Sequence, residues 1–312
     1  MSTEQPLVSI AMMAYNCEDY IAQAIEGVVM QKTDFPYQLV IGEDYSTDET
    51  RAICEQYAEQ YPDKIRLLPS ERNWGMLRNF FRIIDSIESP YIAWCDSDDF
   101  WTDPEKLQMQ VSFLEANPDY GLVYTDVEIV NEHGEIQDDE EQKAIRKIFD
   151  RGNVFFKLLT GENFVMTCST VFRKDCLAYD KTNEDLNMFG YDFWFWLHIS
   201  MRSKIHFIDK RTICYRKHSG QATHAGFQKN RKRNYYVLFD TIMTFDRDYK
   251  KVLTEPQRNL IFRKILSLLY RKGGTPSMKL KAFSLLPKYY PGLSNIIQLF
   301  GGKPGRLEQT TH

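Results

Sequence analysis

Three carboxylates, Asp96, Asp98 and Asp99, lie within four positions of the stretch CDSDDFW. They directly follow the apolar run YIAW, which is typical of a buried strand. Carboxylates this close repel one another, and burial adds to that cost unless a cation balances them. Mg²⁺ and Mn²⁺ prefer oxygen ligands, and Mg²⁺ usually binds one or two carboxylates together with the phosphates of a substrate. The cluster therefore predicts a divalent cation, Mg²⁺ or Mn²⁺, and a phosphorylated ligand.

Polar residues also follow two other strand-like runs. Tyr15 and Asn16 come after the apolar run 7–14, and Asp44 comes after the run 37–43. In open α/β sheets, ligands bind outside the carboxyl ends of the strands. Loops that simply begin with polar residues explain one such group more easily than three. We therefore expect the three groups to meet at one crevice.

Strand-like and helical patterns alternate along the first 130 residues. The predicted strands are 7–14, 37–43, 64–70, 90–96 and 120–130, and the predicted helices are 17–31, 46–61, 74–87 and 104–117. Beyond them, 163–174 is predicted to be a strand, 190–202 a helix and 204–218 two short strands. Such alternation is typical of βαβ units. The predicted fold class is α/β, a mostly parallel sheet with flanking helices.

Glycine-rich phosphate-binding patterns are absent from this sequence. It contains neither G-x-x-x-x-G-K-[ST] nor G-x-G-x-x-G, the patterns that cradle phosphates with backbone N–H groups. A diphosphate would therefore be held largely through the cation.

Several motifs together resemble those of the GT-A-fold family 2 glycosyltransferases, the inverting sugar transferases. They occur in the same order along residues 6–220, and they read VSIAMMAYNCEDY, VIGEDYSTDET, NWGMLRN, YIAWCDSDDFW, FVMTCSTVFRK, GYDFWFW and YRKHSG. The resemblance implies a GT-A fold, Rossmann-like and typical of nucleotide-diphospho-sugar transferases. It also implies a nucleoside diphosphate sugar as donor and a divalent metal, Mg²⁺ or Mn²⁺, as cofactor.

By this resemblance, five residues are expected near the nucleotide: Tyr15, Asn16, Asp44, Asn73 and Gly75. A carboxylate such as Asp44 is a suitable acceptor for uracil N3–H, so UDP is the expected nucleotide. The family pattern Asp-Asp-Gly-Ser-x-Asp reads Glu-Asp-Tyr-Ser-Thr-Asp at 43–48. Tyr45 thus replaces a small residue, and it either stacks on the base or packs outward.

The resemblance also implies roles around the diphosphate. Asp96 is assigned to the donor, and Asp98, Asp99 and His218 are assigned to the metal, while the order of ribose and metal contacts among the aspartates stays open. His218 is a neutral ligand, a protonated partner of the phosphates, or a surface histidine in a loop. Neighbouring Arg216, Lys217 and His224 are further candidates for the diphosphate.

The family's catalytic base corresponds to Asp192, an acidic residue that opens an aromatic-rich helix. An acceptor hydroxyl must lose its proton as it attacks the anomeric carbon, and a carboxylate can accept that proton. Three aromatic neighbours, Phe193, Trp194 and Trp196, either raise the pKa of Asp192, form a sugar platform, or simply pack in the core.

Charge divides the chain into two predicted domains. Residues 226–312 contain 17 Lys and Arg against 5 Asp and Glu, for a net charge of +12, whereas residues 1–225 carry −16. We assign 1–225 to the catalytic GT-A domain and 226–312 to a basic helical extension. The extension either contacts a membrane surface peripherally, packs on the catalytic domain, or forms a homodimer, and nucleic acid is not an expected partner.

The remaining features favour a cytoplasmic protein, or one peripheral to the inner face of the membrane. MSTEQP leads directly into an apolar run, so no signal peptide is expected, and no apolar run reaches the length of a spanning helix. The 6 cysteines form no C-x-x-C pair, which fits a reducing compartment.

The predicted function is transfer of a sugar from a nucleoside diphosphate sugar to a glycan or lipid-linked acceptor in cell-surface polysaccharide biosynthesis. A UDP-sugar is the expected donor. The Q-x-x-R-W segment of processive synthases is absent from the sequence, which favours a single addition. Two alternatives stay open: a non-catalytic sugar-nucleotide-binding module of a glycan assembly complex, and a nucleotidyl- or phosphotransferase.

Overall fold

The computed structural model describes residues 5–159, 163–177, 191–221 and 254–256. The chain divides into two compact units, Met1–Ala225 and Gly226–His312. His224 and nearly all of the predicted helical extension lie outside the described residues. The roles that the sequence assigns to the two parts of the chain therefore stay predictions.

The described strands form one sheet in the order β3-β2-β1-β4-β7-β6-β8-β5. They are β1 (Val8–Ala14), β2 (Tyr37–Glu43), β3 (Ile65–Leu68), β4 (Tyr91–Trp94), β5 (Phe100–Trp101), β6 (Tyr120–Val130), β7 (Val171–Arg173) and β8 (Lys204–Arg216). Strand β1 pairs in parallel with β2 on one side and with β4 on the other. The chain thus reverses its direction of winding at β1, which is where such sheets bind ligands.

Helices flank this sheet, close to where the sequence predicts them. They are α1 (Ile21–Val29), α2 (Thr50–Gln60), α3 (Met76–Ser86), α4 (Lys106–Ala116), α5 (Glu140–Arg146), α6 (Phe155–Leu159) and α7 (Tyr191–Arg202), and 3-10 helices span Thr167–Ser169 and Lys174–Cys176. Helix α1 buries Ile21, Ile25 and Val28, which share one face at helical spacing. None of the described helices has the length and apolarity that a bilayer-spanning segment requires.

The core lies on both sides of the parallel strands. Consecutive residues of a strand point to opposite faces, and both are buried in these strands: Ile10 and Ala11 of β1, and Leu39 and Val40 of β2. Strands covered on both faces read as continuous apolar runs rather than as alternating ones. This is why the sequence located β1, β2 and β4 well.

Two predictions in the second half of the sheet are wrong in detail. Of the predicted strand 163–174, only Val171–Arg173 is a strand, because the chain first turns through the 3-10 helix Thr167–Ser169. That short strand pairs antiparallel with β4 and with β6, so the sheet is mixed beyond β4. The two predicted strands in 204–218 are one strand, β8, whose register against β6 shifts near Thr125 and Asp126. Such bulges let one long strand bend without breaking.

Candidate functional site

The carboxyl ends of β1, β2 and β4 form one edge of the sheet. Ala14 of β1 lies beside Glu43 of β2, whereas β4 ends at Trp94, which lies beside Ala11. Strand β4 therefore ends earlier than β1, and the aspartates that follow β4 lie beside the carboxyl end of β1. Because the three strands are parallel, the polar groups that follow them all leave the sheet at this edge.

The loops after β1 and β2 are joined by side-chain hydrogen bonds. Asn16 Oδ1 accepts a 2.9 Å bond from the Thr47 N–H, and the Asn16 N–H donates a 3.1 Å bond to Ser46 Oγ. Both loops use left-handed backbone, with φ of 48° at Asn16 and 63° at Tyr45. Asparagine tolerates this left-handed conformation better than tyrosine does. Through its two hydrogen bonds, Asn16 joins the loops after β1 and β2.

Asp44 fastens the next loop to this edge. It is buried, its Oδ1 accepts a 2.8 Å bond from the Trp74 N–H, and its Oδ2 accepts a 2.9 Å bond from the Gly75 N–H. Asn73 Oδ1 accepts from the same Gly75 N–H at 2.9 Å. Burial raises the pKa of Asp44, against the opposing effect of these N–H groups. The predicted contact of Asp44 with a nucleotide stays a prediction, and its visible role is to hold 73–75.

Three aromatic side chains on these loops are open to solvent. Tyr15 and Tyr45 are each 49% exposed and Trp74 is 39% exposed, with the Arg72 guanidinium 3.7 Å from the centre of the Trp74 ring. Exposed rings beside a polar crevice are suited to stacking on flat ligands such as nucleobases.

Asp98 pairs with His218 at the mouth of the aspartate cluster. Asp98 Oδ2 lies 3.1 Å from His218 Nε2, and both side chains keep some exposure, 27% and 12%. The His218 ring packs 4.7 Å from the ring of Tyr20. Two neighbouring ligands of an octahedral Mg²⁺ with ordinary bond lengths lie about 3.0 Å apart. One carboxylate oxygen and one imidazole nitrogen at this separation therefore fit a divalent cation.

Asp96 and Asp99 lie on the inner side of the same turn. Asp96 Oδ1 accepts a 2.8 Å bond from Trp94 Nε1, and burial, together with the charge of Asp98, raises the pKa of Asp96 to about 7. Asp99 is buried, and its Oδ1 accepts a 2.8 Å bond from the Arg216 N–H. Burial and the neighbouring carboxylates hold the pKa of Asp99 well above its usual range.

Cys168 joins these two aspartates, which the sequence did not predict. One donor atom each from Asp96, Asp99 and Cys168 lies within 4.8 Å of the others. The structure thus groups Asp99 with Asp96 and Cys168, and it pairs Asp98 with His218. The sequence assigns Asp96 to the donor and Asp98, Asp99 and His218 to the metal, and these roles stay predictions.

A buried lysine lies behind this cluster. Lys106 is fully buried, its Nζ donates a 2.7 Å bond to Gln110 Oε1, and it sits 4.1 Å from the centre of the Trp101 ring. Gln110 in turn donates to the carbonyl of Ser169 at 2.8 Å. Burial lowers the pKa of Lys106 to about 7. No motif pointed to it, since lysine at the start of a helix is ordinarily a surface residue.

Arg216 and Lys217, considered above for the diphosphate, are engaged with the protein. Arg216 is buried, and its side chain donates to the carbonyls of Asp98 at 3.0 Å and Glu132 at 2.8 Å, and to Gln23 Oε1 at 2.6 Å. Lys217 Nζ lies 2.6 Å from Asp139 Oδ2. Arg216 therefore connects the aspartate turn to the segment that carries His218.

Asp192 lies in the first turn of α7, as predicted for a base on an aromatic helix. Its Oδ2 accepts a 2.7 Å bond from the Thr167 hydroxyl, and its Oδ1 accepts a 2.8 Å bond from the Phe193 N–H. Burial raises the pKa of Asp192. Its charge is a minor cause of the raised pKa of Asp96, and Cys168, the residue after its partner Thr167, lies with Asp96 and Asp99. The role of Asp192 as base stays a prediction, now with a defined environment.

Two of the aromatic residues of α7, Trp194 and Trp196, pack in the core. Trp196 is buried against Phe172, with ring centres 5.8 Å apart. Trp194 is buried with its ring 3.8 Å from that of His198. Neither presents an open face for a sugar.

The chain is similar in sequence to several known proteins. The chain is 29% identical over 225 residues to the uncharacterized protein Rv1520 of Mycobacterium tuberculosis, over 72% of this chain and 63% of that protein, so it spans less than two thirds of this relative. It is also 29% identical over 243 residues to Escherichia coli WfgD, named as a UDP-Glc:alpha-D-GlcNAc-diphosphoundecaprenol beta-1,3-glucosyltransferase, over 76% of this chain and 87% of WfgD.

A solved structure shares the fold. S. aureus TarS 1-349 in complex with UDP-GlcNAc matches with a TM-score of 0.60 at 18% identity, over 94% of this chain and 81% of that chain. The family model described as glycosyl transferase family 2 matches residues 9–178, which is more than half of the 312 residues. This match shows that the chain belongs to glycosyl transferase family 2.

Proposed function

We propose that this protein is a metal-dependent, inverting glycosyltransferase that moves one sugar from a UDP-sugar to a hydroxyl of a glycan or lipid-linked acceptor. One observation carries the proposal: the partly buried Asp192 accepts a hydrogen bond from Thr167, and the next residue, Cys168, lies with Asp96 and Asp99 of the turn that also presents the Asp98–His218 pair. Transfer needs both a group that takes a proton and a group that stabilises a departing diphosphate.

The donor's nucleotide would lie across the loops after β1, β2 and β3. Tyr15, Tyr45 and Trp74 expose rings there, and base stacking on such rings contributes about 1–3 kcal/mol per base. Asn16 and Asp44 hold these loops in place through backbone N–H groups. The expected order, base on the loops and diphosphate toward Asp98, follows from the position of the aspartates at the end of β4.

Asp98 and His218 would hold the divalent cation, which supplies positive charge for the diphosphate that leaves. Asp98 and His218 come from different segments of the chain, so the pair forms only when the segment after β8 docks on the aspartate turn. Arg216 fastens that segment through its bonds to Asp98 and Asp99.

Asp192 would accept the proton of the acceptor hydroxyl. As the acceptor O–H bond breaks, its oxygen forms a bond to the anomeric carbon, and the bond from that carbon to the diphosphate oxygen breaks on the opposite face. UDP is the second product, and the anomeric configuration inverts. The raised pKa of Asp192 suits a general base, because a more basic carboxylate binds the proton more strongly.

The acceptor proposal draws support from the relatives. WfgD is named for an acceptor built on diphosphoundecaprenol. This supports a lipid-linked or glycan acceptor and a role in cell-surface polysaccharide biosynthesis, at the cytoplasmic face where a basic extension would meet anionic lipid.

The test is an assay of nucleoside diphosphate release by the full chain, with UDP-, GDP- and dTDP-sugars as donors and Mn²⁺ as the cation. Release of UDP that depends on Mn²⁺ is expected. Asp192→Asn should lower turnover by about 10²–10⁴-fold while leaving UDP affinity within about twofold. Asp63→Asn, at an exposed carboxylate of the loop before β3, is the matched control and should change neither. Release of pyrophosphate, or full turnover by Asp192→Asn, would overturn the proposal.

A further inference from the structure

We infer that Lys106 and Gln110, two fully buried residues of α4, are positioning residues for Asp192, which they reach through the 3-10 helix Thr167–Ser169. Each acts through other residues, so neither is itself a catalytic residue. This role depends on the proposed function, since it exists only if Asp192 accepts the proton of the acceptor hydroxyl.

The side-chain amide of Gln110 has one orientation. Its Oε1 accepts a 2.7 Å bond from Lys106 Nζ, and its Nε2 donates to the carbonyls of Val123 at 3.1 Å and Ser169 at 2.8 Å. A carbonyl oxygen only accepts, so a flipped amide would face both carbonyls with its own oxygen. The amide nitrogen therefore stays on the Ser169 carbonyl whatever the charge of Lys106.

Lys106 adds to the core what an apolar side chain would not. It is fully buried, and its Nζ lies 4.1 Å from the centre of the Trp101 ring. Burying an ammonium group costs free energy, and a methionine would fill a similar space without that cost. The contacts of Lys106 with the Gln110 amide and the Trp101 ring are therefore what a lysine contributes at this position.

The carbonyl that Gln110 holds belongs to the 3-10 helix that presents Thr167 to Asp192. Ser169 ends this helix, and the Thr170 hydroxyl closes the same turn with a 2.8 Å bond to the Thr167 carbonyl. A 3-10 helix this short has poor hydrogen-bond geometry of its own, so its position depends on partners outside it. Holding Ser169 therefore holds Thr167, whose hydroxyl donates to Asp192 Oδ2 at 2.7 Å.

The titratable groups around the two ends of this connection are known for the described residues. The pKa of Asp96, which is raised mainly by burial, also responds to the charge of Asp192. At the other end, burial lowers the pKa of Lys106, and three groups oppose that effect: Cys95, Cys168 and Asp103. Variants of Gln110 leave all of these groups in place, so a change in the pKa of Asp192 reports on its hydrogen bond from Thr167.

The test measures the pKa of Asp192 in the full-length chain in two ways. One is an NMR titration of ¹³C-labelled aspartate carboxyl groups, in which Asp192→Asn identifies the signal. The other is the acidic limb of the kcat/KM profile for UDP release. Gln110→Met keeps the length of the side chain but donates nothing to Ser169, so the Thr167 hydroxyl should lose its position. The pKa of Asp192 should then rise by about half a pH unit in both measurements.

A second substitution shows whether the effect passes through Thr167. If it does, Gln110→Met added to Thr167→Val should raise the pKa of Asp192 no further than Thr167→Val alone. Lys106→Met should raise this pKa in the same direction but by less, because it leaves the amide bonded to the carbonyls. If Gln110→Met does not fold, Lys106→Met alone and in the Thr167→Val protein carries the test.

Gln108→Met is the matched control on the same helix. Gln108 Oε1 accepts a 2.9 Å bond from the Asp34 N–H, and its Nε2 donates a 3.1 Å bond to Ser112 Oγ, so these contacts do not involve the 3-10 helix. This variant should leave the pKa of Asp192 unchanged. Urea unfolding of every variant measures the effect on stability separately.

Three results would overturn the inference: an unchanged pKa of Asp192 in the folded Gln110 and Lys106 variants, an equal shift in Gln108→Met, or a shift that adds to that of Thr167→Val. Lower turnover or stability without a shift belongs to the first result, because support of the fold alone would not move this pKa. A shift seen by NMR without any UDP release would refute the proposed function, whereas UDP release with an unmoved pKa would refute the positioning role alone.

Discussion

The hydroxyl of Thr167 donates a 2.7 Å hydrogen bond to Oδ2 of Asp192, joining a 3-10 helix before β7 to the first turn of α7. The two residues are 25 positions apart, and their contact orients the carboxylate that we propose as base. Burial raises the pKa of Asp192, while the Thr167 hydroxyl and the Phe193 N–H lower it. Thr167 thus limits the rise in the pKa of Asp192 and orients its carboxylate oxygens.

Replacing Thr167 by valine should shift the pH dependence of transfer. Without the hydroxyl, the charged form of Asp192 loses a hydrogen bond, so its pKa rises further. The base works only when deprotonated, so the acidic limb of the kcat/KM profile should move to higher pH, by about one pH unit. The measurement is kcat/KM against pH for the wild-type protein and Thr167→Val.

Thr167→Ser is the matched control for this shift. Serine keeps the donating hydroxyl at nearly the same place, so its acidic limb should coincide with that of the wild-type protein. An unchanged limb in Thr167→Val, or an equal shift in both variants, would contradict the role given to this hydroxyl.

Much of the site's location was predictable from sequence because it depends on local patterns. The buried strands β1, β2 and β4 are continuous apolar runs, and the polar residues that follow them must then lie at one edge. Asp98 and His218 were both chosen by their motifs, and the structure brings them to 3.1 Å. The family indicated by those motifs is confirmed, as is the GT-A-like fold with flanking helices.

What sequence reasoning missed depends on contacts between distant segments. Thr167 and Cys168 lie in a stretch whose composition is that of a strand, and no local pattern shows the 3-10 helix that turns them toward Asp192 and Asp99. Arg216 reads as a basic residue suited to phosphate, yet its partners are backbone carbonyls and a glutamine from other segments. Only the packed chain reveals which charges are already satisfied.

Replacing Tyr45 by glycine should raise the stability of the fold and weaken donor binding. It holds a φ of 63°, a conformation that costs a residue with a side chain about 1–2 kcal/mol, and its ring is 49% exposed. Tyr45→Gly should relieve that strain, offset in part by the greater freedom of glycine in the unfolded chain, for a net gain of about 0.5 kcal/mol. If the ring stacks on the base, the same change should weaken UDP binding by about tenfold.

Calorimetric titration with UDP and denaturant unfolding give the two quantities for Tyr45→Gly and for Tyr45→Phe. Phenylalanine keeps both the strain and the ring, so it should match the wild-type protein in each. Equal UDP affinity for all three proteins would mean that Tyr45 packs outward, the other option that the sequence left open.

His198 should make the fold sensitive to acid. It is 6% exposed against Trp194, and burial, with a smaller effect of Arg202, lowers the pKa of His198 to about 4. Below its ordinary pKa, the unfolded chain binds a proton at this residue that the folded chain does not, so stability falls as pH drops from about 6.5 to about 4. His198→Phe removes this proton site, so its free energy of unfolding should fall by about 2 kcal/mol less than that of the wild-type protein between pH about 7 and about 4.5. Urea unfolding at both pH values measures this difference for the wild-type protein and His198→Phe. His133→Phe is the control, because His133 is exposed.

An identical loss in wild type and His198→Phe would show that other groups, and not this buried imidazole, make the fold sensitive to acid.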